Sequence, residues 1–182
     1  MLKTELFIWI IMKYNKIRNL DISNGEGCGI SVFTQGCNIH CPHCFNKDLW
    51  DSNLGKEWTD KEFKLICSLL DNDYIDHLTW LGGEPTIWAS AIADINRQIK
   101  DKYPNKKIWL YSGYTLEHLL SRLETRDLLY TIDTLVDGPF INDLKDINLK
   151  FRGSSNQRII DNNNGIFCIL FLSTISLTII VL

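Results

Sequence analysis

The sequence predicts an α/β protein, with a parallel sheet and helices packed outside it. Short β-branched segments alternate with segments of helical period along most of the chain, and each short segment ends in glycine or a polar loop. Repeated βα units build a parallel sheet, because a strand returns parallel to its predecessor through a crossover helix. The 182 residues, 45% hydrophobic and 23% charged, suit one globular domain with a real core.

Residues 29–35 (GISVFTQ) read as the first strand. Residues 60–70 place Phe63, Ile66, Leu69 and Leu70 at helical spacing, with Thr59 positioned as an N-cap. A second strand over 77–81 ends in Gly82-Gly83. Residues 86–102 carry Ile87, Ala91, Ile92 and Ile95 along one helix face. Residues 107–111 (KIWLY) form a third strand closed by Ser112-Gly113, and a helix capped by Thr115 covers 115–123. A fourth strand, 130–136 (YTIDTLV), ends at Asp137-Gly138, and 150–160 begins a further βα element. Function in parallel sheets collects at the C-terminal strand ends, so the four loops there are expected to line one face.

Both ends of the chain are unlike its middle. Residues 1–11 hold an apolar run too short for a secretory signal, with no small-residue cleavage site after it, and read as an extension upstream of Met12. Residues 12–161 form the domain proper. Within the tail 162–182, positions 166–182 carry no charge. That run reads as a frameshifted or atypical terminus, a docked apolar segment or a membrane anchor. It lies at the lower length limit for a span and lacks basic flanks, so a membrane role is not expected. The net charge of −3, with no basic run, argues against nucleic-acid binding through phosphates.

Three of the six cysteines, Cys37, Cys41 and Cys44, fall in the run CNIHCPHC. Such clustering indicates metal binding rather than a disulfide framework. Cubane iron–sulfur clusters usually take four cysteines, so C-x3-C-x2-C leaves one iron open to another ligand. Zinc is the plainer alternative, with His40 or His43 completing Cys3His. But His40 abuts Cys41, which strains joint chelation, and zinc folds usually present a second, distant ligand pair. A redox pair of Cys41 and Cys44 would leave Cys37 out, and no helical pattern follows it. Cys28, Cys67 and Cys168 are isolated, and Cys67 lies on an apolar helix face as core packing. An open cluster requires a reducing compartment, which places the chain in the cytoplasm.

The stretch Leu81-Gly82-Gly83-Glu84-Pro85 has two glycines at a strand end, where a ligand can approach bare backbone. Glu84 offers a carboxylate to a cation. Taken alone, the stretch is an ordinary strand-to-helix turn with proline near the first helical position.

Together, the cysteine loop and the GGE stretch resemble the radical S-adenosylmethionine superfamily, which implies a partial, open βα barrel. NGEGCGISVFTQGCNIHCPHCFNKDLWD, LVDGPF and FRGSSNQR look like a narrower family, the glycyl-radical-enzyme activases of the anaerobic ribonucleoside-triphosphate reductase. The likeness runs from about residue 12 to 161. It implies that Cys37, Cys41 and Cys44 hold a [4Fe-4S] cluster, and that Gly82, Gly83 and Glu84 hold the methionine end of S-adenosyl-L-methionine. His43, Phe45 and the Ser112–Tyr114 turn would line the adenosine pocket beside Cys44. Asp137 would bind ribose or methionine, or serve only as a turn residue before Gly138. Residues 152–158 would dock the reductase or cap the sheet edge. The implied reaction is reductive cleavage of S-adenosyl-L-methionine to place a glycyl radical on the reductase large subunit, with flavodoxin or ferredoxin as electron donor.

Two departures from the family pattern stand out near the site. His43 precedes the last cysteine, where an aromatic residue is common, and Pro139 occupies the lysine position of an Asp-x-Lys. The apolar tail also differs from the polar tail that the resemblance implies. Rival readings are another glycyl-radical activase, a 7-carboxy-7-deazaguanine synthase, or a zinc-binding adaptor tethered by the tail. The GSSNQR ending and the lack of a second cysteine cluster favour the reductase activase.

Overall fold

A computed structural model describes residues 12–162 and Phe167. Its seven strands are β1 (Lys13–Asp21), β2 (Gly29–Thr34), β3 (Lys56–Glu57), β4 (His77–Gly82), β5 (Lys107–Tyr111), β6 (Thr134–Asp137) and β7 (Arg158–Asp161). They form one sheet in the order β3-β1-β2-β4-β5-β6-β7. The four central strands, β2, β4, β5 and β6, run parallel. The strands outside them are antiparallel. The fold is therefore mixed α/β with a mostly parallel sheet.

Register sets the site. Thr34 pairs with Gly82, Trp80 with Leu110, and Tyr111 with Val136, so the parallel strands stop almost level. The two sheet faces differ. Ile30, Val32, Leu78, Trp80, Ile108, Leu110 and Leu135 bury one face against the helices α1 (Asp60–Leu70), α2 (Ala89–Lys102), α3 (Leu116–Leu120) and α4 (Leu123–Leu129). The other face carries Phe33, Leu81 and Tyr111, covered by Leu49 from the loop after β2. Helices thus insulate one side and leave the other to loops.

The helices begin where their caps dictate. Thr59 Oγ1 accepts from Lys61 N at 3.2 Å, and Glu62 Oε2 accepts from Thr59 N at 2.9 Å. Tyr14 on β1 donates to Glu62 Oε1 at 3.1 Å, which ties the cap to the sheet. On α2, buried Asn96 accepts from Trp80 Nε1 at 2.8 Å and donates to Thr131 Oγ1 at 2.9 Å. An unpaired amide there would be costly, and both its ends are satisfied.

Three expectations need correction. The segment 150–160 does not open a βα unit, because β7 turns back antiparallel on β6. The helix expected over 115–123 ends at Leu120, and a separate helix, Leu123–Leu129, fills what was read as the approach to the fourth strand. That strand starts at Thr134 rather than at 130. Strand β1 precedes the one read as first. Its exposed residues are Lys16, Arg18, Asn19 and Leu20, so its pattern offers little apolar alternation.

The glycine-rich opening NGEGCG has a packing cause. A Cβ on Gly29 would lie 2.1 Å from the buried His77 ring, and one on Gly25 2.7 Å from it. Burial lowers the His77 pKa, so the ring sits neutral beneath this loop. The expectations for residues 1–11 and 166–182 fall outside the described residues, apart from Phe167, which is buried in the helix-side core. Among the described residues no helix is long and apolar enough to cross a membrane.

Candidate active site

All four loops expected at the strand ends meet. A cavity of about 360 Å³ is lined by Cys37, Cys41 and Cys44 after β2 and by Gly82, Gly83 and Glu84 after β4. Ser112 and Gly113 after β5, and Gly138 after β6, complete that side.

The cysteine loop is fastened at its two limbs. Gly36 N donates to Leu49 O at 2.7 Å, and Cys37 N to Trp50 O at 3.0 Å. Buried Gln35 reinforces this, donating from Nε2 to Asp48 O at 3.1 Å and to Asp51 O at 3.0 Å. Between the limbs Cys44 N donates to Cys41 O at 3.1 Å, closing a turn. His40 and His43 sit there at φ of 53° and 60°. Asn46 N donates to Cys44 Sγ at 3.3 Å. Burial pushes the Cys37 thiol up, against backbone N–H groups of His40 and Ile39 that pull it down.

The donor set fits an iron–sulfur cluster. Three thiol side chains line one cavity, and Asn46 N donates to the Cys44 sulfur, as a thiolate favours. Among the described residues no three His, Cys, Asp or Glu side chains converge as ligands of a single metal ion. Neither histidine joins the cysteines. His40 stacks on Trp50 with ring centroids 4.5 Å apart, and His43 is exposed and outside the cavity lining. The Cys3His alternative therefore lacks its histidine here.

Gly82 and Gly83 are fixed by neighbouring backbone as well as by the cavity. Gly82 adopts φ +114°, and its missing Cβ would meet Phe33 Cα at 2.8 Å. At Gly83 a Cβ would fall 2.0 Å from Gly36 O. Gly83 N donates to Thr34 O at 3.0 Å and Glu84 N to Gly36 O at 2.7 Å, so this turn is stitched to the start of the cysteine loop. Gly83→Ala is therefore expected to push the loop off its seat and reduce iron incorporation well below wild type. Iron and sulfide analysis after anaerobic reconstitution is the check, and full incorporation would refute this account of the contact.

Glu84 is 1% exposed. Its Oε1 accepts from Thr86 N at 3.1 Å, Thr86 Oγ1 at 2.7 Å and Ser112 Oγ at 2.9 Å. Its Oε2 accepts from Gly113 N at 2.8 Å and from no other group among the described residues. Burial pushes this carboxyl up, opposed by those donors. A carboxylate oxygen takes about two hydrogen bonds, so Oε2 keeps an acceptor position, and the residue lines the cavity. An ammonium group is the complementary ligand.

The remaining expected contacts divide. Phe45 and Ser112 line the cavity; Asp137 does not. Asp137 is buried and committed elsewhere. Its Oδ2 accepts from Leu116 N at 2.7 Å, capping α3, and Arg158 grips both oxygens from Nε at 2.9 Å and Nη2 at 2.5 Å. Arg158 also donates to both oxygens of Glu117, at 3.0 and 2.8 Å. Within residues 152–158, Arg158 acts as a cap, starting the edge strand β7 and latching it to α3, while Arg152, Gly153 and Gln157 line the cavity.

Arg158→Ala would leave the Asp137 carboxylate buried with one donor, at a cost of about 3 kcal/mol. Hydrogen bonds from Arg158 hold the exposed Glu117 carboxyl down to about 2 from 4.5. A depressed carboxyl stabilises above its unfolded value and loses that contribution as the pH falls through the folded one. The stability gap between wild type and Arg158→Ala, read from urea midpoints, is thus expected to be full above about pH 4.5 and to shrink as the pH approaches about 2.

Several lining residues escape sequence reasoning: Asn24, Trp50, Tyr111, Phe140, Phe151 and Gln157. The GSSNQR stretch was a signal for the last, but nothing local gives its task. Gln157 Oε1 accepts from Gly153 N at 2.8 Å and Ser154 N at 3.2 Å, while Nε2 donates to Gly138 O at 3.1 Å. It holds the turn after Phe151 against the end of β6.

A three-cysteine loop, a buried carboxylate with a free acceptor position and one shared cavity define an iron–sulfur class of protein. The family described as a 4Fe-4S single cluster domain matches residues 23–160, the span that builds this cavity. Relatives narrow it. The anaerobic ribonucleoside-triphosphate reductase-activating protein of Enterobacteria phage T4 is 32% identical over 158 residues, covering 86% of this chain and 98% of that one. Its counterpart in Vibrio cholerae is 37% identical, covering 81% and 97%, and that of Escherichia coli K12 36%, covering 80% and 96%. The chain belongs to the family of anaerobic ribonucleoside-triphosphate reductase-activating proteins, as the resemblance implied. QueE from Escherichia coli shares 14% identity at a TM-score of 0.47, over 57% of this chain and 54% of that one, which is too little to bear on function.

Proposed function

We propose that this chain activates the anaerobic ribonucleoside-triphosphate reductase by placing a glycyl radical on its large subunit. The observation that carries this reading is the meeting of Cys37, Cys41 and Cys44 with Glu84 in one cavity, brought there from separate strand ends. When bound, a [4Fe-4S] cluster supplies the electron for reductive cleavage of S-adenosyl-L-methionine, the source of the hydrogen-abstracting radical.

The chain's own residues bind, orient and shield. Glu84 Oε2 receives the ammonium of the methionine end, with Gly113 N fixing the carboxylate's orientation. Ser112 holds Oε1, so the turns after β4 and β5 move together. Leu81, Phe140 and Phe151 give the cavity apolar walls that keep water from a reactive radical. Phe45 takes the adenosine side, with Ser112 below it. His43, exposed in this state, turns inward only if its loop shifts.

The sheet ends at β3 and β7 without joining, which supports reading it as a partial barrel open toward its substrate. The electron donor is a small flavodoxin or ferredoxin, and the compartment is the reducing cytoplasm; the absence of a basic run supports no role for nucleic acid. Anaerobic incubation of the reconstituted protein with dithionite and S-adenosyl-L-methionine tests the reading. Release of 5′-deoxyadenosine and methionine is expected. Stoichiometric zinc, in place of about four irons with sulfide, would overturn it.

A further inference from the structure

The connection from β6 to β7, residues 138–157, is long for a structured link, and connections of this length usually carry function. It is not loose. Lys145 bridges to Ser154, Ser155 N donates to Leu144 O at 2.9 Å, and Asn156 Nδ2 donates to Pro139 O at 2.8 Å. Yet it holds apolar side chains out in solvent: Ile147 is 87% exposed, Leu144 42% and Ile141 40%. Phe45, 71% exposed, extends the patch from the cysteine loop. Its ring lies 5.4 Å from Phe140, and Lys145 Nζ sits 4.9 Å over it. Phe45, Phe140 and Leu149 also line the cavity, so the connection that carries the exposed residues meets the cysteine loop at the mouth. A fixed apolar surface of this kind marks an interaction site.

We propose that this rim, centred on Ile147 and Leu144, is where the reductase seats the segment that carries its target glycine. The inference rests on the proposed function and adds the docking surface to it. The cavity's 360 Å³ lies near the lower end for small-ligand pockets, so it takes a cofactor and at most a glycine-sized intrusion. A polypeptide substrate must then find its contacts outside, on whatever surrounds the mouth. That surround includes Phe45 and, packed against it, the β6–β7 connection. The partner segment is apolar, flanking its glycine, with a carboxylate placed to meet Lys145. The last described residues of this chain sit elsewhere: Asp161 pairs with Thr134 at the far end of β6, and Phe167 lies in the helix-side core.

The test compares reconstituted full chain with the double variant Ile147→Asp/Leu144→Asp, and with Tyr74→Asp. Tyr74 is 82% exposed just before β4, at the opposite end of the sheet. Affinity for the reductase large subunit is measured anaerobically, beside cleavage of S-adenosyl-L-methionine by dithionite without reductase. The double variant is expected to bind about tenfold or more weakly, and to lose glycyl-radical yield, with reductase-free cleavage unchanged. Tyr74→Asp is expected to bind as wild type. Unchanged reductase affinity in the double variant overturns the proposal. If lost thermal stability accompanies it, another segment of this chain covers the patch; if lost self-association does, a second copy covers it. Failure of wild type to cleave S-adenosyl-L-methionine at all would instead overturn the underlying function, so the two failures are distinguishable.

Discussion

Cys41→Ala is expected to abolish the visible absorbance of a reconstituted cluster while the apoprotein melts as wild type does. The thiol belongs to a loop that contributes nothing to the main core, and its two limbs are closed by backbone bonds and Gln35 rather than by Cys41. Substitutions at such surface positions usually change stability by less than about 0.5 kcal/mol. Cys67→Ala is the opposing control. Its side chain is buried on α1, so it should retain the cluster and lose roughly 1 kcal/mol of stability. Cys28→Ala, with Cys28 outside the cavity lining, should retain the cluster as well. An intact cubane in Cys41→Ala would remove that residue from the ligand set.

Glu84→Ala is expected to do two things that sequence alone would separate. Loss of the carboxylate removes the one acidic acceptor that lines the cavity among the described residues, so S-adenosyl-L-methionine binding should fall below detection. It also strips Thr86 N, Thr86 Oγ1, Ser112 Oγ and Gly113 N of their acceptor. A buried donor left unpaired costs about 1–3 kcal/mol, and the two hydroxyls can turn elsewhere, so a loss of about 3 kcal/mol is expected. Iron content should nevertheless survive, because the bonds from Gly83 N and Glu84 N to the cysteine loop are backbone bonds. Equilibrium dialysis, urea denaturation and iron analysis on one preparation separate these effects. Unchanged stability would mean that the four donors find other partners.

The parallel core was readable because each strand announces itself twice, by a β-branched run and by the loop that ends it. GISVFTQ before the cysteines, HLTWL before Gly82 and KIWLY before Ser112 all fall where expected. The antiparallel edges were not readable. In β1 (KYNKIRNLD) most outward positions are polar, and β7 (RIID) is too short to carry a period. What makes them strands is their neighbours, β2 and β6, which only tertiary structure supplies.

The site divides in the same way. Cysteine spacing and GGE are local patterns tied to local chemistry, so Cys37, Cys41, Cys44 and Glu84 stand out as candidates, and the structure brings all four to one cavity. Asp137, a carboxylate before glycine at a strand end, reads as either a ligand contact or a turn residue from sequence. Its partner Arg158 lies 21 residues away and claims it through a β-bridge register that the sequence does not display. The glycines of NGEGCG have no local cause either: His77 fills the space beneath Gly25 and Gly29, and Asp76 that beneath Gly27.

If this cavity delivers a radical to a glycine of the reductase, the radical must be found there. Electron paramagnetic resonance of the reductase large subunit tests it most directly, after anaerobic incubation with reconstituted protein, S-adenosyl-L-methionine and a reductant. A glycyl-radical doublet is expected on the reductase, absent when Cys41→Ala replaces wild type. Cleavage of S-adenosyl-L-methionine with no radical on the reductase, or a doublet that persists with Cys41→Ala, would contradict it.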